Sequence, residues 1–320
     1  MNCCILYNKP GEGALADELD IIEQVEYVEM HLDQMGIKTY MKGISTNFMT
    51  ELADLAGEKP GFVFNLAESI NNKGELLYFV PAILNMYNLP YTGNPLEAMF
   101  ITTSKALTNK YLVASGLSTP GAFLPSEYMG MESGKKYIIK PIWEDGSLGI
   151  TSESVFTFTP EYEETLRNYR DSHWIIQEYI EGREFNISVM SGEKGPEVLP
   201  PAEMTFINYG DSRPRIVDFK AKWEEGSFEF ENTVRRFPGK ELDQALEKKL
   251  SELALKCWYV FGLKGYARVD MRVDSDNNPY IIEVNANPCI SPNGGFVAAT
   301  HEAGYKFTDV LQWIMNDMNI

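Results

Sequence analysis

The sequence is poor in cations and in the side chains that most often carry metal or nucleophilic chemistry. Its 320 residues hold 28 Lys and Arg against 46 Asp and Glu, a formal charge of −18. A field of that sign repels polyanions, so nucleic acid and anionic membrane are not expected as partners. A nucleotide remains admissible, because salt screens charges beyond about 8–10 Å and a local group of Lys and Arg acts inside that range. The 3 His (His31, His173, His301) are too scattered for an imidazole metal site or a Ser-His-Asp triad. The 4 Cys (Cys3, Cys4, Cys257, Cys289) form no C-x-x-C pair, hence no zinc or redox pattern. They are expected to be reduced, mostly buried thiols of a cytoplasmic protein. No apolar run approaches the ~18–20 residues of a membrane helix. The first seven residues lack the basic leader and long apolar stretch of a signal peptide and read as a buried strand.

What is present is an ordinary globular mixture, 44% hydrophobic and 23% charged, which excludes disorder for most of the chain. Strands at 3–8, 37–41 and 62–66 alternate with helices at 16–35 and 75–87. Such alternation predicts a parallel, Rossmann-like sheet in an α/β unit spanning residues 1–95. An α+β unit follows over 96–180, with a helix at 105–115 and strands at 137–140 and 174–180. Residues 181–320 form a second α+β unit. It contains a strand at 184–190, an amphipathic helix at about 241–260, a hairpin and a terminal helix at about 306–318. The segment 208–216 is expected to be mobile.

The hairpin is the most informative stretch. In its first strand Ala267, Val269, Met271 and Val273 face one side, Arg268, Asp270 and Arg272 the other. In the second, Ile282 and Val284 face one side, Glu283 and Asn285 the other. Asp276-Asn277-Asn278-Pro279 supplies the turn. Centring the turn between Asp276 and Asn277 sets Asp270 opposite Glu283 and Arg268 opposite Asn285. Opposed carboxylates destabilise a hairpin unless a cation lies between them. An all-oxygen donor set suits Mg²⁺, and the adjacent arginine suits a phosphate. The competing reading is a solvated face of mixed charge.

Two further loops concern phosphates. Lys140-Pro141 leads into a turn containing Gly146-Ser147-Leu148-Gly149, whose amides can cradle phosphate oxygens, or which forms a plain hairpin turn. It is not a Walker A loop. Gly11-Glu12-Gly13-Ala14-Leu15-Ala16 matches G-x-G-x-x-A, but the next strand ends without the acidic residue a dinucleotide site needs. A nicotinamide-dependent activity is therefore rejected.

Taken in order, the motifs resemble the ATP-grasp superfamily, most closely its D-alanine–D-alanine ligase-like branch. The resemblance covers nearly the whole chain. It rests on Leu89-Pro-Tyr-Thr-Gly93, Ser104-Lys105-Ala-Leu-Thr-Asn-Lys110, Ile139-Lys140-Pro141, Ile176-Gln177-Glu178-Tyr179-Ile180-Glu-Gly182-Arg-Glu184-Phe185, Phe219-Lys220-Ala221-Lys222-Trp223, Gly265-Tyr-Ala-Arg268-Val-Asp270 and Ile282-Glu283-Val-Asn285-Ala-Asn287-Pro288. It implies an ATP-grasp fold, in which two α+β subdomains clamp ATP behind the N-terminal domain. Lys105 and Lys140 are implied at the phosphates and adenine edge, Gln177, Glu178, Tyr179 and Ile180 in the adenine pocket, and Glu184 at the ribose. Lys222 is implied at the γ-phosphate under the loop around Ser147. Asp270, Glu283 and Asn285 are implied to bind two Mg²⁺ ions, with Arg268 stabilising the transferring phosphoryl group. The implied activity is ATP-dependent ligation of a carboxylate to an amine through an acyl phosphate, on amino acid or peptide substrates, by a homodimer.

The substrate half departs from the family. A Glu–Ser–Tyr hydrogen-bonded set is replaced by Asp17 (a loose match), Gly146 and Trp223, and indole donates but does not accept. Gly294 stands where the family has a serine holding the acceptor carboxylate, which leaves Ser291 or the amides of Gly294 and Gly295. Substrates other than two D-alanines are therefore expected. The alternatives are a D-alanine–D-alanine ligase of cell-wall synthesis and a nucleotide-binding protein without ligase activity.

Overall fold

The computed structural model describes residues 2–319 apart from Glu12 and Leu15; the side chains of Ala16 and Asp17 also fall outside the description. Strands β1 (Asn2–Asn8), β2 (Lys38–Ile44) and β3 (Phe62–Asn65) form a parallel sheet in the order β2-β1-β3. Helices Ala16–Gln34 and Phe48–Glu58 are its crossovers. Four central residues of β1 and all of β3 are buried, as parallel strands covered on both faces must be. The first helix buries Ile21, Val25, Val28 and Leu32, which recur at three- and four-residue steps along one face. The expected helix over 75–87 is broken instead into a 3₁₀ turn, Gly74–Leu76, and a helix, Phe79–Met86. Pro81 is the cause. In one continuous helix its ring would meet the carbonyl of residue 77, whereas the first turn of a new helix accommodates it.

Strands β4 (Ala122–Phe123), β5 (Lys136–Pro141), β6 (Val155–Thr157) and β7 (Trp174–Glu178) form an antiparallel sheet, β4-β7-β5-β6. It has a core of its own, including Tyr137, Ile139, Phe156, Phe158 and Ile176. Helices Leu96–Thr103 and Lys105–Ala114 precede it. Ser104 ends the first and caps the second, its hydroxyl accepting from the Leu107 amide at 3.3 Å.

The third sheet contains β8 (Arg183–Gly192), β9 (Gly195–Val198), β10 (Ala202–Phe206), β11 (Thr233–Arg236), β12 (Tyr266–Val273) and β13 (Pro279–Asn285). Its order is β11-β10-β8-β12-β13, with β9 also on β8. Helix Gln244–Val260 covers one face, burying Leu246, Leu250, Ala254 and Cys257 in a core with Phe185, Ile187, Val269 and Met271. It begins three residues later than expected because Asp243 caps it, accepting from the Leu246 amide at 2.9 Å. Helices Gly295–Glu302 and Phe307–Asn316 pack with the N-terminal helix in a core joining Val25 and Leu32 to Phe296, Leu311 and Ile314.

The predicted hairpin register holds where it matters: Arg268 faces Asn285, and Asp270 faces Glu283. Beyond Asp270 the register shifts, and Met271 pairs with Ile281. Ile282 is thus an extra, bulged residue. The expectation that Ile282 shares the buried face with Val284 is corrected: Ile281 (0% exposed) takes that place beside Val284 (1%). The bulge restores the alternation that packing demands on both sides of it.

Candidate active site

Antiparallel pairing places opposed residues on one face of a sheet. On β8 and β12, Glu184 faces Arg272, Asn186 faces Asp270 and Ser188 faces Arg268. With Glu283 and Asn285 on β13, these side chains make a polar face opposite the apolar one that the long helix covers. The same parity on β5 and β7 sets Lys140 and Gln177 on one face. Glu178 lies on the opposite face and pairs with Lys135 at 2.6 Å, so its side chain does not join the others.

Lys105, Arg268 and Arg272 each face a carboxylate. Lys105 Nζ lies 2.9 Å from Glu283 and 3.3 Å from Asp145. Arg268 Nε and Nη2 donate to the two oxygens of Asp270 at 2.7 and 2.8 Å, and Asn186 adds a bond to Asp270 at 2.8 Å. Arg272 Nη1 reaches Glu184 at 3.1 Å. Burial opposes ionisation of Glu283, but Lys105, then Lys140 and Lys222, overcome it and hold its carboxyl down at about 2. Burial lowers the Lys140 ammonium to about 8, with Glu283 opposing and Lys105 adding to the fall. Burial and then Arg268 likewise lower Lys222. Glu184 is raised by burial, against the pull of Arg272.

Two loops clasp above this face. Ser147, at φ +65°, donates its hydroxyl to the Val217 carbonyl at 2.7 Å. Trp223 Nε1 donates to the Gly146 carbonyl at 3.0 Å, an interaction that needs a donor alone. The segment expected to be mobile is held at Arg215: its amide donates to the Tyr179 hydroxyl at 3.1 Å and its carbonyl accepts from Arg272 at 2.9 Å. Arg272 also donates to the carbonyls of Ile180 (3.0 Å) and Gly182 (3.2 Å). It ties the segment 177–182, Glu184 and the clasping loop together. The sequence reading gave Arg272 no role, although its parity with Arg268 and Asp270 was visible. Among the described residues Gln177 Oε1 is a buried acceptor without a hydrogen-bond partner, and an amine donor would satisfy it.

Asp270 and Glu283, opposed across the hairpin, and Asn285 beside them are an oxygen-only donor set. Among the described residues no group of three or more His, Cys, Asp and Glu is placed to hold a metal ion. Two carboxylates and a carboxamide fit Mg²⁺, which binds through one or two carboxylates and takes its other ligands from water and phosphate.

Beyond Arg268 lies a second polar cluster that sequence reasoning missed. Gln24 Nε2 donates to Asp20 (3.1 Å) and Glu68 (2.9 Å), and its Oε1 accepts from the Ile290 amide (3.0 Å). Cys289 Sγ contacts Asp20 and Ser291 Oγ, both at 3.0 Å. Burial and then Asp20 push the thiol pKa up, so it is protonated and not a nucleophile. Ser291 is buried against this thiol, and Gly294 and Gly295 stand at the start of helix Gly295–Glu302. Asp17 lies in the first helix with its side chain outside the description. The signal for Gln24 was its place between Ile21 and Val25, a polar residue in an apolar stripe.

A family model described as D-ala D-ala ligase C-terminus matches residues 131–316. The D-alanine--D-alanine ligase of Thermotoga maritima is 27% identical over 306 residues, covering 95% of this chain and 94% of that one. The structure of a D-alanine--D-alanine ligase from Bacillus anthracis superimposes with a TM-score of 0.74 at 20% identity, covering 99% and 97% of the two chains. The VanG D-Ala:D-Ser ligase of Enterococcus faecalis gives 0.73 at 16% identity, covering 98% of each.

Proposed function

Since the chain belongs to the D-ala D-ala ligase C-terminus family, we propose that it is an ATP-dependent, ADP-forming carboxylate–amine ligase whose substrates are amino acids or short peptides other than two D-alanines. One observation carries the reading. Lys105, Lys140, Lys222 and Arg268 converge on the Asp270–Glu283 face, with no activated nucleophile beside them. Such a site neutralises phosphate charge and orients reactants, as phosphoryl transfer requires.

In this reading Gln177 and Ile180 meet adenine, Glu184 the ribose, and Lys105, Lys140 and the Ser147 loop the phosphates. Asp270, Glu283 and Asn285 would hold two Mg²⁺ ions, which supply neutralising charge at the β- and γ-phosphates. A substrate carboxylate oxygen attacks the γ-phosphorus and the bond to the β-phosphate oxygen breaks, giving an acyl phosphate and ADP. Arg268 and Lys222 balance the charge that spreads over the transferring group. The amine nitrogen then attacks the acyl carbon, the carbon–oxygen bond to phosphate breaks, and the nitrogen loses a proton as the amide forms. The clasped loops exclude water from the acyl phosphate. Within this scheme residues 96–180 and 181–320 are the two clamping units and residues 1–95 complete the substrate pocket. Exposed Met49, Phe79, Met86, Tyr87 and Phe100 on neighbouring helices support a homodimer. No helix among the described residues is long and apolar enough to cross a membrane, which fits a cytoplasmic enzyme.

The altered specificity rests on Trp223 and Gly146, joined by an indole–carbonyl bond where the family uses hydroxyls. The test is Mg²⁺-dependent phosphate release from ATP with D- and L-amino acids, singly and in pairs, with products read by mass spectrometry. Release needing two substrates, with the mass of a condensation product, is expected. Efficient D-Ala-D-Ala formation would overturn the specificity claim and establish the second reading. ATP binding without stimulated release by any pair would count against a ligase.

A further inference from the structure

The two ends of the polar face treat arginine differently. Arg268 and Arg272 each hold a carboxylate, whereas Arg235, three strands from Arg268 at the sheet edge, holds none among the described residues. On β11 the half-buried Thr233 and Arg235 alternate with exposed Val234 and Arg236. Arg235 pairs with Met204, Met204 with Glu184, and Glu184 with Arg272, so Arg235 stands on the same face as the charged cluster. Its Nη2 donates to the Asn293 carbonyl at 2.8 Å. Its Nη1 lies 3.4 Å from where a Cβ on Gly295 would stand. Burial lowers its pKa and the nearby Arg268 lowers it further, a like-charge approach that a bound anion would relieve.

The turn it overlooks offers few side-chain donors to an anion. A Cβ on Gly294 would fall 2.8 Å from the Cys289 carbonyl and 3.0 Å from the Ser291 carbonyl, so no hydroxyl-bearing side chain fits there without a backbone shift. Ser291 Oγ is already engaged with Cys289. Two of the five donors of Arg268 are spent on Asp270.

We propose that Arg235 is a specificity-determining residue that grips the carboxylate of the amine-side substrate, at the turn formed by Asn293, Gly294 and Gly295. The inference rests on the ligase reading for the identity of that substrate, but not for the presence of an anion site. Arg235 presents a planar fork matched to a carboxylate, and the paired Arg268 leaves this charge to Arg235. An amine whose carboxyl is masked as an amide forfeits the grip.

The experiment compares D- and L-alanine with their amides as acceptors, in wild type, Arg235→Gln and Arg235→Lys. In wild type the free acid is expected to have the lower KM. Arg235→Gln should raise KM for the free acid by about tenfold or more, the scale of one charge-assisted hydrogen bond. KM for the amide should stay within about threefold, on the smaller scale of a neutral bond. Arg235→Lys should recover part of the loss, because it keeps the charge and loses the fork. The inference is overturned if Arg235→Gln keeps the wild-type preference for the free acid, or if it lowers kcat alike for acid and amide. Calorimetric binding of the same four compounds, with Mg²⁺ and a non-hydrolysable ATP analogue present, reads the site without turnover. A preference for free acid that vanishes in Arg235→Gln supports the inference even if no pair of substrates releases phosphate, which would sink the ligase reading alone. Failure of wild type to favour the acid over the amide in binding overturns the inference and leaves the ligase reading standing.

Discussion

At the proposed phosphate end of the cleft Lys105 faces Glu283 and Arg268 faces Asp270, with buried Lys140 and half-buried Lys222 nearby. At the proposed acceptor end, Arg235 holds no carboxylate among the described residues and donates to the Asn293 carbonyl. The difference teaches how the site divides its work. In the proposed scheme the Lys105–Glu283 and Arg268–Asp270 pairs are in place before any ligand arrives, and MgATP would exchange partners with them. In the proposed scheme Arg235 takes its counter-charge from the substrate, which assigns the specificity to that end.

Variants at the paired end should therefore strike turnover and nucleotide binding hardest. Glu283→Gln is expected to have the largest effect. It removes the charge of a proposed metal donor and leaves the buried Lys105 ammonium with Asp145 alone, and breaking a buried pair costs up to roughly 3–5 kcal/mol. Turnover should be lost and the melting temperature should fall. Normal phosphate release in this variant would show that the hairpin is not the metal site. Lys222→Ala comes next. Losing one hydrogen bond between charged groups costs about 1.5–3 kcal/mol, and calorimetry should find that loss in ATP affinity and far less in ADP affinity. Equal losses for the two nucleotides would remove Lys222 from the γ-phosphate.

The third test uses pH. Lys140 ordinarily titrates at 10.5 but is lowered by burial to about 8. Below the lower value folded and unfolded chains both carry the proton, and folding bears the cost of burying the charge. Between the two values only the unfolded chain carries it, so the Lys140 contribution to stability rises with pH. Phosphate binding runs the other way, since it needs the ammonium. KM for ATP should rise as pH passes about 8, and Lys140→Arg should flatten the rise. A flat wild-type profile from about pH 7 to about 9.5 would take Lys140 away from the phosphates. The smallest effect is expected of Trp223→Phe, which keeps the ring and loses the bond to Gly146. That bond is worth about 0.5–1.5 kcal/mol, so KM for ATP should rise a few-fold. An unchanged KM would mean that the loops close without it.

What was legible in the sequence is what depends on neighbours along the chain. The turn at Asp276 to Pro279 and strict alternation place Asp270 opposite Glu283. The bulge at Ile282 was hidden, because it answers to packing of Ile281 in the core and not to the local pattern. The break before Pro81 was readable from the proline and was passed over. Arg235 and Gln24 were not legible as site residues. Arg235 sits in a short edge strand whose sequence, Thr-Val-Arg-Arg, shows no clear face, and Gln24 takes its meaning from Glu68 and Ile290, far away in the chain. The resemblance places Glu178 in the adenine pocket with its neighbours; side-chain parity turns its carboxylate toward Lys135 and leaves any such role to its backbone.

The indole of Trp223 has one more consequence. Its N–H is seated on a backbone carbonyl of the opposing loop, and indole emission is sensitive to whether that group faces protein or water. The chain has 5 Trp, and with Trp143, Trp174, Trp258 and Trp313 replaced by phenylalanine the remaining one becomes a built-in optical gauge of the clasp. The opening and shutting of the cleft could then be timed in a stopped-flow cell without attaching a dye.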